Sequence, residues 1–189
     1  MALLEIFDPK AAPRPIGIDL GTTNSLVARV RDGRPMVIAD CNGEDLLPSV
    51  VHYDPRGTVI VGRDAQRLAA AFPRETIVSV KRFMGRGADD PETRRLGTYD
   101  FAEPSTPEEA KSARFKVHGR VVTPVEVSAE ILRALRALAA LTAGFDAAEG
   151  DVEKLKLLLP KLGELRYMRR FLDEVSALEE ELVPADGTA

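Results

Sequence analysis

The sequence predicts an α+β fold followed by an all-helical tail, and three observations carry that prediction. Between Ile16 and Gly62, short runs rich in Val and Ile alternate with Gly, Pro, Asn and Asp turn signals, the pattern of antiparallel strands. A helix start with its own cap stands at Thr123. Beyond Pro160, apolar residues recur every three or four positions, the spacing of one helical face. A length of 189 residues fits one domain with an appendage.

Composition narrows the class. A hydrophobic share of 44% and a charged share of 30% are those of a soluble globular chain with enough apolar material for a core. The 26 basic and 30 acidic side chains leave a net charge of −4, which gives no broad electrostatic footprint for nucleic acid or anionic lipid. Neither nucleic acid nor membrane is expected as a partner. Cys41 is the single cysteine, so an intramolecular disulfide is excluded, and the simplest role for it is a small half-buried residue. Residues 1–15 hold Glu5, Asp8 and three prolines and lack the pattern of a secretory signal; no run approaches the length of a membrane span. The expected location is the cytoplasm.

Residues 1–15 read as an extension. Ile16–Leu20 reads as a strand, Gly21–Asn24 as a tight turn and Ser25–Val30 as a second strand; Asp32-Gly33 marks a hairpin into a third strand over Arg34–Ala39. Leu46–Tyr53 and Thr58–Gly62 are two further strands joined through Pro55-Arg56-Gly57. Asp64–Phe72 reads as a short helix ended by Pro73. Ile77, Val80, Phe83 and Met84 have helix-like spacing, so Thr76–Met84 is expected to be helical. Residues 86–114, broken by three prolines, read as a surface excursion, and Phe115–Val122 as a hairpin about His118-Gly119. Thr123, Pro124 and Glu126 form a capping-box start for a helix through Val127, Ile131, Leu135 and Leu138. Ala139–Gly150 shifts to Ala, Thr and Gly and is taken as the main boundary. The stripe Leu162, Leu165, Met168, Leu172, Val175, Leu178 and Leu182, widened by Tyr167 and Phe171, needs a partner surface.

The segment with most chemistry is Ile16-Gly-Ile-Asp-Leu-Gly-Thr-Thr-Asn-Ser. A carboxylate at a strand end, a glycine turn and two hydroxyl residues make a workable phosphate cradle: amides and hydroxyls donate, glycine lets the backbone approach, and the carboxylate holds a hydrated metal ion. It is neither a Walker pattern nor a dinucleotide fingerprint. A plain hairpin turn, with Asp and Thr satisfying local backbone groups, accounts equally well for the same residues. His52 and His118 are assigned no catalytic role, and Arg166, Arg169 and Arg170 are read as pairing with the acidic residues that follow them.

Taken whole, the segment resembles the first phosphate-binding motif of the 70-kDa heat-shock chaperone family. Leu47-Pro-Ser-Val-Val, Ser79-Val-Lys-Arg-Phe-Met-Gly-Arg and Thr123-Pro-Val-Glu-Val-Ser-Ala-Glu-Ile-Leu resemble further family segments in the same order, over about Ile16 to Ala139. Leu-Leu-Pro-Ser-Val-Val-His-Tyr and the Met-Ala-Leu-Leu start most resemble the HscA branch, specialised for iron-sulfur cluster assembly. The stretch Leu165–Leu182 resembles the last helix of HscB, the J-type co-chaperone of that branch.

The resemblance implies a partial actin-like, ribonuclease H-like ATPase lobe over residues 16–141, an HscB-like helical tail over 151–183 and a disordered end over 184–189. It implies ATP and Mg2+ as cofactors. Asp19 would hold magnesium through water, Gly21, Thr22, Thr23 and Asn24 would form the phosphate turn, and Lys81 would sit near the γ-phosphate and position the attacking water. Implied partners are an iron-sulfur scaffold protein, a J-type co-chaperone and unfolded client proteins. The family's second phosphate motif and its adenosine-binding segment are not among the 189 residues, which leaves open whether this chain hydrolyses ATP, serves as a non-enzymatic interaction module for the scaffold, or is a gene-fusion remnant. A half-lobe exposes strand edges and apolar faces, so self-association is also expected.

Overall fold

The computed structural model describes residues 15–40, 42–148, 154 and 156–158. Cys41, residues 1–14 of the N-terminal extension and the expected tail over 151–183 and end over 184–189, save residues 154 and 156–158, lie outside the described residues.

Three antiparallel strands open the fold: β1 (Ile16–Asp19), β2 (Asn24–Arg31) and β3 (Arg34–Val37), in the spatial order β1-β2-β3. Asp32 and Gly33 both lie at positive φ, 51° and 74°, as the two-residue β2–β3 turn requires. Alternation along β2 places Ser25 and Val27 in the interior.

The expected strand over Leu46–Tyr53 divides into two. β4 (Leu47–Pro48) pairs with the start of β2, while β5 (Val50–Tyr53) is the centre of a second sheet, between β6 (Val59–Val61) and β7 (Thr76–Val78). Ser49 is the corner where the chain leaves one sheet for the other. A short α1 (Arg63–Leu68) follows β6.

The helix expected over Thr76–Met84 is not formed. Thr76–Val78 is β7, Ser79 takes a left-handed conformation (φ 52°, ψ 40°), and only Val80–Phe83 turns, as a 3-10 helix. Two non-local contacts override the apolar spacing. β7 pairs with β5 on one side, and on its outer edge the Tyr99 hydroxyl accepts from the Val78 N–H at 3.1 Å and reaches the Thr76 carbonyl at 3.4 Å. The edge strand is thereby capped by a side chain 21 residues downstream of Val78.

That bond also corrects the reading of residues 86–114 as a surface excursion. The stretch carries α2 (Pro91–Arg95), started by Asp90 accepting from the Glu92 amide, and it packs inward at Thr93, Ala102 and Ala113. Tyr99 and Phe101 join Phe83 and Phe115 in an aromatic cluster with edge-on contacts, Phe83–Phe115 at 5.0 Å and Tyr99–Phe115 at 5.2 Å between centroids.

β8 (Phe115–Val117) and β9 (Arg120–Val122) form the expected hairpin, with His118 and Gly119 at φ 46° and 76°. The His118 Nε2–H donates to the Tyr53 carbonyl at 3.0 Å, tying the hairpin to β5. α3 (Pro124–Ala148) starts as read: Glu126 Oε2 accepts from the Thr123 amide at 2.7 Å, and Thr123 Oγ1 accepts from the Glu126 amide at 3.2 Å. The helix continues without a break through the Ala- and Gly-containing stretch after Ala139. Val127, Ile131, Leu135 and Leu138 bury one face against β2, β5, β6 and the 3-10 turn, and Asp146 near the helix end pairs with Arg29 of β2.

His52, on β5, is buried, with Nδ1 2.8 Å from Thr76 Oγ1 and its ring against Phe72. Burial holds its pKa below the ordinary 6.5, with His118 adding to that, against the opposing pull of Asp54 and Glu75. The unfolded chain therefore binds this proton more readily, so stability present at neutral pH is lost as pH falls below that ordinary value. The urea midpoint is expected to drop between about pH 7.5 and 5.5, and less steeply in His52→Gln; equal slopes in the two proteins would remove His52 from the account. Phe115→Ala, which empties the centre of the aromatic cluster, is expected to cost about 3–5 kcal/mol, against about 1 kcal/mol for Thr123→Ala at the cap, both read from urea melts.

Candidate functional site

The β1–β2 connection is a bend of four residues, 20–23, and the two strands pair from Asp19 opposite Leu26 onward. Its backbone folds back so closely that a Cβ on Gly21 would lie 2.0 Å from the Asn24 carbonyl oxygen. No side chain fits there, which is the physical reason for glycine. Thr22 is half-buried, while Thr23 and Asn24 are exposed. Among the described residues, the amides of Thr22 and Thr23 donate to no protein acceptor, so the bend presents two free backbone donors beside two hydroxyls.

Asp19, the last residue of β1, is exposed and makes no ion pair among the described residues. Lys81 lies 60 positions away in sequence from Gly21, yet its Nζ donates to the carbonyl of Leu20 at 3.0 Å. The 3-10 turn makes this possible: Val80 and Phe83, three apart and both about 1% exposed, anchor one face and leave Lys81 and Arg82 on the other. Lysine and bend are therefore neighbours, with the Lys81 ammonium on the peptide that links Leu20 to Gly21. Every residue singled out from sequence, Asp19, Gly21, Thr22, Thr23, Asn24 and Lys81, falls within this one patch.

Sequence reasoning missed the support behind the bend. Ser49 Oγ donates to the Gly21 carbonyl at 2.9 Å and lies 2.8 Å from Ser25 Oγ, and the Ser49 amide donates to the Thr23 carbonyl at 2.8 Å. Leu47-Pro-Ser-Val-Val stands out as a motif, but nothing local assigns its serine to a loop 28 residues upstream. No cluster of three or more His, Cys, Asp or Glu is found among the described residues, so the patch offers no all-protein cage for a metal. A single carboxylate does suit a hard cation that keeps most of its waters and takes its other oxygens from phosphates. The free amides, the close glycine approach, the lysine and Asp19 together fit a magnesium-bound phosphate chain. No helix among the described residues is long and apolar enough to cross a membrane.

Residues 15–148 match the family model described as Hsp70 protein. The chain is 49% identical to the chaperone protein HscA homolog of Burkholderia multivorans over 187 residues, covering 89% of this chain and 29% of that protein. It is 48% identical to the chaperone protein HscA homolog of Cupriavidus metallidurans over 142 residues, covering 72% of this chain and 22% of that one. The chain thus spans about a quarter of the length of the curated relatives it matches. The mixed sheet-and-helix arrangement is consistent with a fragment of an Hsp70 ATPase lobe.

The closeness of the bend generates a test. Gly21→Ala is expected to cost about 1–3 kcal/mol and to move the Thr22 and Thr23 amide resonances, whereas Gly17→Ala, whose Cβ would meet nothing within 4 Å, stays within about 0.5 kcal/mol of the parent. Comparable effects of the two substitutions would mean the bend tolerates a side chain.

Proposed function

We propose, since this chain belongs to the Hsp70 protein family, that residues 16–141 are part of an actin-like nucleotide-binding lobe that takes the phosphates of Mg-ATP. The observation that carries the reading is the bend at Gly21–Asn24, with two free amides and Lys81 held beside it. Thr22 and Thr23 would donate to phosphate oxygens through backbone and hydroxyl groups, Gly21 permits their approach, and Asn24 closes the bend. Lys81 supplies the cation that offsets the negative charge spread over a transferring phosphoryl group and orients an attacking water. Asp19 would hold magnesium through its water shell; the ion, when bound, neutralises phosphate charge.

The HscA name of the relatives supports a place in iron-sulfur cluster assembly, with a scaffold protein, a J-type co-chaperone and client proteins as partners. The likeness of residues 151–183 to the HscB co-chaperone rests on their sequence alone, and supports a docking role for that segment. Self-association of the chain is supported by the uncovered apolar side chains of the first sheet, Ile16, Ile18, Val30, Met36 and Val37.

Calorimetry with Mg-ATP tests the nucleotide reading. The parent chain is expected to release binding heat that the Asp19→Ala, Lys81→Ala double variant loses. Equal heats for the two, or none for either, would overturn it.

A further inference from the structure

We infer that Ser49 is a positioning residue: it aims the free Thr22 amide of the β1–β2 bend and ties that bend to the segment carrying Lys81. The inference rests on the nucleotide reading for its purpose, but on the described geometry for its content.

All three polar groups of Ser49 are engaged, each with a different part of the patch. Its hydroxyl donates to the Gly21 carbonyl at 2.9 Å, its amide donates to the Thr23 carbonyl at 2.8 Å, and its carbonyl accepts from the Ser79 amide at 3.3 Å. Ser79 is the left-handed residue from which the 3-10 turn bearing Lys81 departs. Because the one hydroxyl proton of Ser49 is given to Gly21, the 2.8 Å contact with Ser25 has a fixed sense: Ser25 donates and Ser49 accepts. Both hydroxyls are buried, each residue about 1% exposed, so water does not substitute for either partner.

The consequence for the bend follows from the planarity of the peptide. In a trans peptide the C=O and the next N–H point to opposite sides. Holding the Gly21 carbonyl on the buried Ser49 hydroxyl therefore turns the Thr22 N–H away from the interior. Holding the Thr23 carbonyl on the Ser49 amide does the same for the Asn24 N–H. A bend without these two anchors is free to rotate its peptides, and an anion would then have to order them on binding. With them, donors are oriented beforehand and the lysine arrives in register, because the bend and the 3-10 turn hang from the same residue.

Ser49→Ala isolates the claim, since it deletes the bond to Gly21 and leaves both backbone bonds of Ser49 in place. Ser25→Ala is the matched control: it removes a buried hydroxyl from the same pair while leaving the Ser49–Gly21 bond. In nucleotide-free protein, Ser49→Ala is expected to shift the Thr22 amide resonance and speed its exchange, and Ser25→Ala to leave both near the parent values. Mg-ATP affinity, read by calorimetry, is expected to fall about tenfold for Ser49→Ala and by less than about twofold for Ser25→Ala, the difference made by one oriented donor. An unmoved Thr22 amide in Ser49→Ala, or equal effects of the two substitutions, would overturn the proposal. If the parent shows no nucleotide heat, the nucleotide reading fails by itself and the amide measurements still decide the role of Ser49. Should Ser49→Ala not fold, Ser49→Thr keeps the hydroxyl and is expected to retain the parent Thr22 resonance; a displaced one there counts against the anchor.

Discussion

The patch depends on how tightly four residues of backbone are folded between β1 and β2. With the Asn24 carbonyl only 2.0 Å from where a Gly21 Cβ would stand, the bend has no room for adjustment on that side. On the other it is fastened to Ser49, whose hydroxyl and amide take the Gly21 and Thr23 carbonyls. Compression in front and attachment behind leave the Thr22 and Thr23 amides as the groups without a protein acceptor among the described residues. An unpaired amide at a surface bend costs little in water and is available to an anion. Charge then assembles around it from both flanks, Asp19 from the strand before and Lys81 from a turn 61 residues beyond Leu20.

The remainder of the fold serves to keep those flanks in place. α3 lays Val127, Ile131, Leu135 and Leu138 across β2, β5 and the 3-10 turn, so the strand that follows the bend and the turn that carries the lysine share one apolar backing. The aromatic cluster extends that backing: Phe83, the last residue of the 3-10 turn, sits edge-on to both Tyr99 and Phe115. Tyr99 in turn caps the outer edge of β7, from which Ser79 and the lysine segment emerge. Burial pushes the Tyr99 phenol pKa up, against the opposing bond from the Val78 amide, so the hydroxyl remains a protonated donor to Thr76 across the ordinary pH range.

The chain spans about a quarter of the length of the HscA chaperones it resembles, and the Hsp70 family match over residues 15–148 includes the bend and the lysine. The chain keeps free backbone donors at its bend while leaving its first sheet uncovered at Ile16, Ile18, Met36 and Val37. The free donors and the uncovered apolar side chains are therefore separate features of the same hairpin sheet: the first belong to its bend, the second to its faces and edge.

Local chemistry was legible wherever the interaction closes within a few residues. The Gly21 bend, the Asp32-Gly33 and His118-Gly119 turns, and the Thr123–Glu126 cap all follow from residues three or fewer apart, and the structure places them as read. The resemblance of the motifs likewise singled out Asp19, Gly21–Asn24 and Lys81, and folding gathers these into one patch. What spacing could not disclose is held by distant partners. Thr76–Val78 has helical apolar spacing but is a strand, because β5 and the Tyr99 hydroxyl satisfy its two backbone edges. Ser49 looks like an ordinary strand serine, and its role exists only once the chain returns it to Gly21, 28 residues earlier. Sequence by itself determined where the backbone must bend, since conformational freedom and capping are properties of adjacent residues; tertiary structure decided which way the bend's donors face, since their orientation is set by hydrogen bonds that no neighbour along the chain can make.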